Sequence, residues 1–420
     1  MPPAGTAALI DLHLRIVPAI AEINAAAWDA CANPPIDGIP QPIPHDSQHD
    51  QYFRLYYSYN PFISYDFLNS LEESGSATAR TGWQPQHAIA ETPGGDIVGV
   101  VPCYLKSHSR GEYVFDRGWA EAYERAGGEY YPKLQVSVPF TPATGRRLLV
   151  RPSTDAERLR AALAAGLVEL CRRHQASSVH FTFLPEAECH ELVEHGFLHR
   201  TDQQFHWENA GYGNFEAFLE ALSARKRKTI RRERREALAA GITIHRLTGR
   251  DLTEEAWDAF FEFYMETGSR KWGRPYLNRK FYSLIGERMA DRIVLVMAKR
   301  AGRWIAGAIN FLGSDTLFGR HWGAIEHHPF LHFEVCYYQA IDFAIEHGLK
   351  RVEAGAQGEH KLARGYMPTT THSAHYIADP GLRRAVADYL KRERAYVEAA
   401  GEELAALAPF RKDLIEQEQD

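Results

Sequence analysis

The densest run of reactive side chains is Glu353–Arg364, EAGAQGEHKLAR, followed by Gly365 and Tyr366. A short predicted strand delivers Glu353, and Gly355 and Gly358 let the backbone turn tightly. Gln357, Glu359, His360, Lys361 and Arg364 follow at once. A plain connection needs no such density of titratable groups, whereas orienting a nucleophilic amine and a developing oxyanion does. The run is neither kind of glycine-rich phosphate cradle: the chain has no G-x-x-x-x-G-K-[ST] and no G-x-G-x-x-G after a strand.

A second stretch, Gly319–Tyr338 (GRHWGAIEHHPFLHFEVCYY), sets polar and aromatic groups where a predicted strand ending near Trp322 meets a predicted helix starting near Phe333. Such junctions commonly hold ligand groups. Glu334 falls in the first turn of that helix, where the dipole favours a carboxylate, and Trp322, Tyr337 and Tyr338 can wall a pocket. His328, His332 and Glu334 are metal-ligating types, but Pro329 separates the histidines and no H-E-x-x-H is present, so no metal is expected. A third stretch, Arg225–Arg235 (RKRKTIRRERR), holds eight basic residues and one acidic. Arg225, Lys226, Lys228, Arg231 and Arg232 are its candidates for a polyanion such as a tRNA backbone, a diphosphate or a nucleotide; a solvated helix face is the alternative. In the first half, the aromatic-rich Tyr113–Pro142 leads to Gly145, Arg146 and Arg147, which could face an anion. Serine or cysteine nucleophiles have no support, since there is no G-x-S-x-G and no cysteine in a reactive setting.

The elements that must position these groups repeat in order. Asp11–Val17 reads as a strand, Pro18–Cys31 as a helix and Ser64–Glu73 as a helix capped by Ser64. Gln86–Thr92 and Ile97–Lys106 read as a hairpin around Pro93-Gly94-Gly95-Asp96. Ala156–Arg173 is a predicted helix, Ser178–Leu184 a strand and Ala187–His195 a helix ended by Gly196. The second half predicts a helix over Phe215–Ala240, a strand over Thr243–Leu247, helices over Glu254–Gly268 and Asn278–Ala290, and a three-strand meander from Ile293 to Trp322. It closes with a helix over Phe333–His347, strands over Arg351–Ala354 and His372–Ile377, and a helix over Gly381–Leu407. Two similar α+β units follow, joined near Arg200–Asn214, with boundaries at 10–205 and 206–400 and a helical tail at 401–420.

Composition bounds the function. The 420 residues are 45% hydrophobic and 24% charged with a net charge of −6, which excludes wholesale disorder and a globally basic nucleic-acid binder. No apolar run approaches a membrane span, Met1–Pro18 has no secretory-signal pattern, and five scattered cysteines without a C-x-x-C suit reduced thiols, so a cytoplasmic location is expected. Aromatics make up 12%, and eight of the 20 histidines lie between His321 and His375.

The segments NPFISYDFLNSLEESG, YYPKLQVSVPFTPATGRR, FLHFEVCYYQAIDFAIEHGL and EAGAQGEHKLARGY resemble the FemAB-like N-acyltransferases, GNAT-like proteins associated with peptidoglycan biosynthesis. The resemblance runs from the first strand to about Arg394. It implies two tandem GNAT-like domains with a cleft between them, and transfer of an acyl or aminoacyl group from an activated donor to an amine acceptor. Glu334, Glu359 or His360 would take the proton or orient the amine, and Lys361 and Arg364 would bind an anionic part of donor or acceptor. With them, Trp322, Tyr337, Tyr338, Glu353 and Gln357 make up the expected substrate site. Fem transferases use aminoacyl-tRNA, which would give Arg225–Arg235 a partner, although the long antiparallel helical arm of some of them is missing. CoA-dependent GNAT enzymes instead hold a pyrophosphate on a glycine-containing loop at a helix N-terminus. Here the matching stretch, HHPFLHFE, has no glycine and places Glu334 where a phosphate would lie. The donor is therefore aminoacyl-tRNA or acyl-CoA, with no tightly bound cofactor. The rival readings are a catalytically inactive ligand-binding protein on the same fold, and an RNA-binding factor using 225–235.

Overall fold

Runs of Val, Ile, Leu and aromatic residues make the strands at the centre of the molecule, where branched side chains pack well on a pleated surface. The computed structural model describes residues 11–35, 57–272, 275–355 and 358–411. In it, 11 strands form one sheet in the order Ile242–Leu247, Ile293–Arg300, Arg303–Leu312, Thr316–Ala324, Arg351–Glu353, Leu198–Glu208, Met367–Ile377, Ser178–Leu184, Lys133–Val136, Cys103–Lys106 and Trp83–Pro85. A second sheet holds His13–Val17, His87–Glu91, Ile97–Val101 and Leu149–Val150. The architecture is the expected α+β.

Two neighbouring pairs are parallel: Thr316–Ala324 with Arg351–Glu353, and Lys133–Val136 with Ser178–Leu184. Parallel neighbours need a crossover, supplied by the helix that begins at Leu331 and by Ala156–Arg173. Leu198–Glu208 and Met367–Ile377 lie side by side; the first borders Arg351–Glu353 and the second borders Ser178–Leu184. Each half thus ends in a strand laid against the other half's parallel pair.

Three sequence expectations are corrected. The joint expected at Arg200–Asn214 is, as far as Glu208, part of the 11-residue strand Leu198–Glu208. Its sequence, LHRTDQQFHWE, lacks an apolar alternation because polar Gln204 and His206 are buried in it, Gln204 donating to the Pro142 carbonyl at 2.9 Å. The helix expected over Phe215–Ala240 is broken into Phe215–Ala221 and Ala224–Leu238. The C-terminal segment intervenes there: the Ser223 amide donates to the Pro409 carbonyl at 2.9 Å, and Leu222 bridges to Phe410. The strand expected over Ile97–Lys106 is cut at Pro102, which has no N–H to donate, and the chain crosses there from the small sheet to the large one.

The largest core cluster draws on both halves. Phe62 lies 5.1 Å from Phe311 and 5.2 Å from Phe318, and Phe67 lies 5.7 Å from Phe281. Much of the aromatic excess is this weld. Helix Glu254–Trp272 crosses the sheet so closely that a Cβ at Gly323 would sit 2.1 Å from the Phe263 carbonyl oxygen, which explains a glycine inside a strand. All five cysteines are free, four of them buried. Among the described residues no helix is long and apolar enough to cross a membrane.

Candidate functional site

The parallel pair of the second half opens into a cleft. Thr316, Leu317 and Phe318 pair with Arg351, Val352 and Glu353, and there the register ends. Gly319–Ala324 then stays paired with Arg303–Leu312 on its other side while the chain after Glu353 turns away through Gly355 at φ 77°.

Glu353 stands at this parting point. Its side chain is buried, Oε2 has no partner, and across the ladder it is in register with His206. Burial raises the carboxyl pKa to about 7, against the pull of the Arg351 guanidinium and the Thr144 amide. His206 is equally enclosed, and burial lowers its pKa to about 3, so the imidazole is neutral. A carboxyl group that changes charge near neutrality, with one oxygen uncommitted, can hold or take a proton.

The other wall of the opening is the helix that runs Leu331–Phe333, then a π-helical turn over Glu334–Tyr338, then Gln339–Glu346. It starts two residues earlier than predicted, because Phe330 caps it at φ 61°. A π turn widens the helix locally and is frequent at functional sites. It carries Tyr337, whose hydroxyl lies 2.9 Å from His360 Nε2, and whose ring lies 5.3 Å from His332. Half-buried Trp322 packs on His332 at 5.2 Å. Trp322, His332, Tyr337 and His360 therefore form one cluster on the helix side of the opening, while the Glu353 carboxyl faces the Thr144 amide and the Arg320 guanidinium.

Several expected ligand groups are committed to the protein instead. Glu334 is fully buried, accepts two hydrogen bonds of 3.0 Å from Arg234 and one of 2.7 Å from Gln339. It anchors the basic helix, and its carboxylate lies inside the protein. Lys361 donates to the carbonyls of Ala354 and Gly355 at 2.7 and 2.8 Å, and burial lowers its pKa to about 8. It holds the loop that leaves the cleft. Arg364 lies 3.4 Å over the Phe333 ring and forks onto Glu233 at 2.8 and 3.0 Å, and Glu233 also accepts from the Tyr338 hydroxyl. Glu233 is the single acidic residue of the basic run, and its role is to tie that helix to the motif. Gln357 lies outside the described residues, and so does the Glu359 side chain.

On the basic helix, Arg231 pairs with Glu216 and Arg232 lies 3.8 Å from Glu236. Arg225, Lys226 and Lys228 form no ion pair among the described residues, and Arg225 and Lys228 are exposed. Unpaired positive charge thus lies in the first turns, beside the helix dipole's positive end, and at exposed Arg235 in the last turn. The first-half arginines are engaged by the protein itself, near the buried Glu188 carboxylate. Arg146 donates to the carbonyls of Cys31 and Ala32, and Arg147 to those of Ala143, Gly145, Arg146 and Thr182. They pin the 139–147 loop. The histidine excess also divides: His332 and His360 border the opening, whereas His375 is buried against His180, Nδ1 to Nδ1 at 2.7 Å. Sequence reasoning assigned no role to Arg320, His321, Glu233, Arg234 or His206. A charge placed inside an apolar strand was the signal for Arg320.

The structure of FemX aligns with 82% of this chain and 99% of its own length at 12% identity, with a TM-score of 0.51. A tandem GNAT protein from the clavulanic acid biosynthesis pathway aligns over 88% and 99% at 14% identity with a TM-score of 0.43. L-PGS from Bacillus licheniformis aligns over 79% and 98% at 10% identity with a TM-score of 0.47. The FemX likeness is one of fold. No curated protein matches the sequence. The sequence profile of one family, described as peptidoglycan biosynthesis/recognition, matches residues 19–412, and the chain belongs to that FemAB-like family.

Proposed function

We propose that the chain is an N-acyltransferase acting at the opening between Thr316–Ala324 and Arg351–Glu353. The observation that carries this reading is Glu353, buried at the parting of the strands with one free oxygen and a pKa near 7. The acceptor nitrogen attacks the donor's activated carbonyl carbon, forming a C–N bond. Glu353 takes the proton the nitrogen loses, and the bond from the carbonyl to its oxygen or sulfur leaving group breaks. Tyr337, His360 and Trp322 flank the reactants, and positioning alone supplies several kcal/mol of barrier lowering, so no resident cofactor is needed. The family description supports a peptidoglycan component as the amine acceptor.

For the donor, the filled helix start favours aminoacyl-tRNA over acyl-CoA. Phe330 caps that helix and Glu334 with Arg234 fills the space beside it, where a pyrophosphate would otherwise sit. Arg225, Lys226 and Lys228 offer a tRNA phosphate site. The test is single-turnover transfer with charged tRNAs and acyl-CoAs on a panel of peptidoglycan-precursor amines. Glu353→Gln is expected to lose about 100-fold or more in rate with an unchanged fold, and the tRNA reaction to weaken steeply with salt. Full activity of Glu353→Gln would refute the role of Glu353. Product from acyl-CoA alone would refute the tRNA donor.

A further inference from the structure

The exposed cations of the basic helix include a stripe along one face. Arg225, Lys228, Arg232 and Arg235 follow one another at three- and four-residue steps along Ala224–Leu238, and all four are exposed. The carboxylates paired on and around the helix answer other cations: Glu233 holds Arg364, Glu334 holds Arg234 and Glu216 holds Arg231. Glu236 lies 3.8 Å from Arg232, a loose pair between two exposed side chains that is worth little.

Beside the stripe stands a ring that the core does not use. Phe330 precedes the helical turn Leu331–Phe333, which packs against Ala224–Leu238. Phe330 is half-buried, and among the described residues it belongs to none of the hydrophobic clusters. Its ring centroid lies 5.9 Å from the Arg232 guanidinium. Its backbone is held at φ 61°, a conformation rare for a bulky side chain and concentrated at binding sites. From Phe330 a row of rings leads to the helix side of the transfer opening: Phe333 at 6.2 Å, His332 a further 5.7 Å on, and Trp322 5.2 Å beyond that. Arg364 already covers Phe333 at 3.4 Å, and Trp322 and His332 pack on each other. Phe330 is therefore the ring presented at the cationic end of the row.

A cationic stripe that ends on an aromatic ring is how proteins hold single-stranded nucleic acid: the cations track the backbone and the ring stacks a base. We propose that Phe330 stacks the terminal base of a single-stranded RNA end, with Arg232 on the phosphate behind that base and Lys228 and Arg225 on the phosphates before it. The inference rests on the reading of a tRNA donor and adds to it the side chain that receives the base. The 3′ end then points along the row of rings to the opening, where the carbonyl carried on the terminal ribose reacts.

The experiment is fluorescence anisotropy on the full chain, with a short 5′-labelled single-stranded RNA and the same RNA lacking its 3′-terminal base. Wild type is expected to bind the complete RNA about fivefold to a hundredfold more tightly than the abasic one. Phe330→Ala should lose that difference and Phe330→Tyr keep it. Lys228→Glu with Arg232→Glu should weaken both RNAs alike and flatten the dependence on salt. Melting temperatures of all variants are measured alongside. If Phe330→Ala does not fold, Phe330→Leu, which keeps apolar bulk without the aromatic face, takes its place. Equal binding of the two RNAs, or a base preference that survives Phe330→Ala, would overturn the proposal and leave the tRNA donor standing. Absence of binding by either RNA would overturn both. Competition by coenzyme A that Phe330→Ala abolishes would assign the ring to the adenine of a thioester donor and overturn the proposal as well.

Discussion

At the scale of single residues, burial sets the chemistry. Glu353 ionises near 4.5 in the unfolded chain but keeps its proton to about pH 7 when folded. Folding therefore favours the protonated form in that interval. The stability of wild type relative to Glu353→Gln should fall as pH rises from about 4.5 to about 7 and stay level above. Between pH 5 and pH 8 the expected change is about 2–3 kcal/mol, read by urea unfolding at both values. A difference independent of pH would mean that the side chain is not enclosed as described. The transfer rate should show the complementary limb, falling below about pH 7 as Glu353 becomes protonated. Glu353 stood out in the sequence because it opens a polar, glycine-bearing run. Arg320 did not, because a lone charge in a strand is usually a solvated one, and only the neighbouring loop at Phe140 encloses it.

At the scale of elements, the basic helix Ala224–Leu238 has two ends with different jobs. Arg234, Glu233 and buried Ile230 bind it to the site. Arg225 and Lys228 face outward. Arg234→Ala strands the buried Glu334 carboxylate and is expected to cost about 3 kcal/mol, measured by chemical unfolding. Arg225→Glu with Lys228→Glu removes only surface charge and should change stability by less than about 0.5 kcal/mol. If that double variant unfolds the protein, the first turns are structural and the polyanion reading fails with them. The charge run was plain in the sequence. Its division was not, since the partners of Arg234 lie 100 and 108 residues away.

At the scale of the whole molecule, the two halves are not separable beads. Leu198–Glu208 completes the edge of Arg351–Glu353, and Met367–Ile377 completes that of Ser178–Leu184. Each half alone leaves a strand edge unpaired and the aromatic weld around Phe62 exposed, both strong drives to aggregate. Fragments 1–209 and 210–420 expressed separately are expected to be insoluble or unfolded, whereas co-expression should recover a complex. The intact chain should unfold in one transition by calorimetry. Two well-resolved transitions, or two soluble folded fragments, would contradict this.

By itself the sequence determined the elements and the class of fold, because periodicity, caps and turn residues act over a few positions. Ser64 capping its helix and the glycines at 355 and 358 turning the loop are local physics, and they stand as read. It also singled out two motifs that the fold brings together at Tyr337 and His360. Only the tertiary structure decided what each polar group does there. Lys361 and Arg364 look alike as cations in the chain, yet one holds two carbonyls and the other a distant glutamate. Glu334 and Glu353 look alike as carboxylates, yet one is answered by Arg234 and the other keeps an oxygen free. The reason is that desolvation and pairing depend on what packs against a group. That is settled by strands and loops brought together from the far ends of the chain.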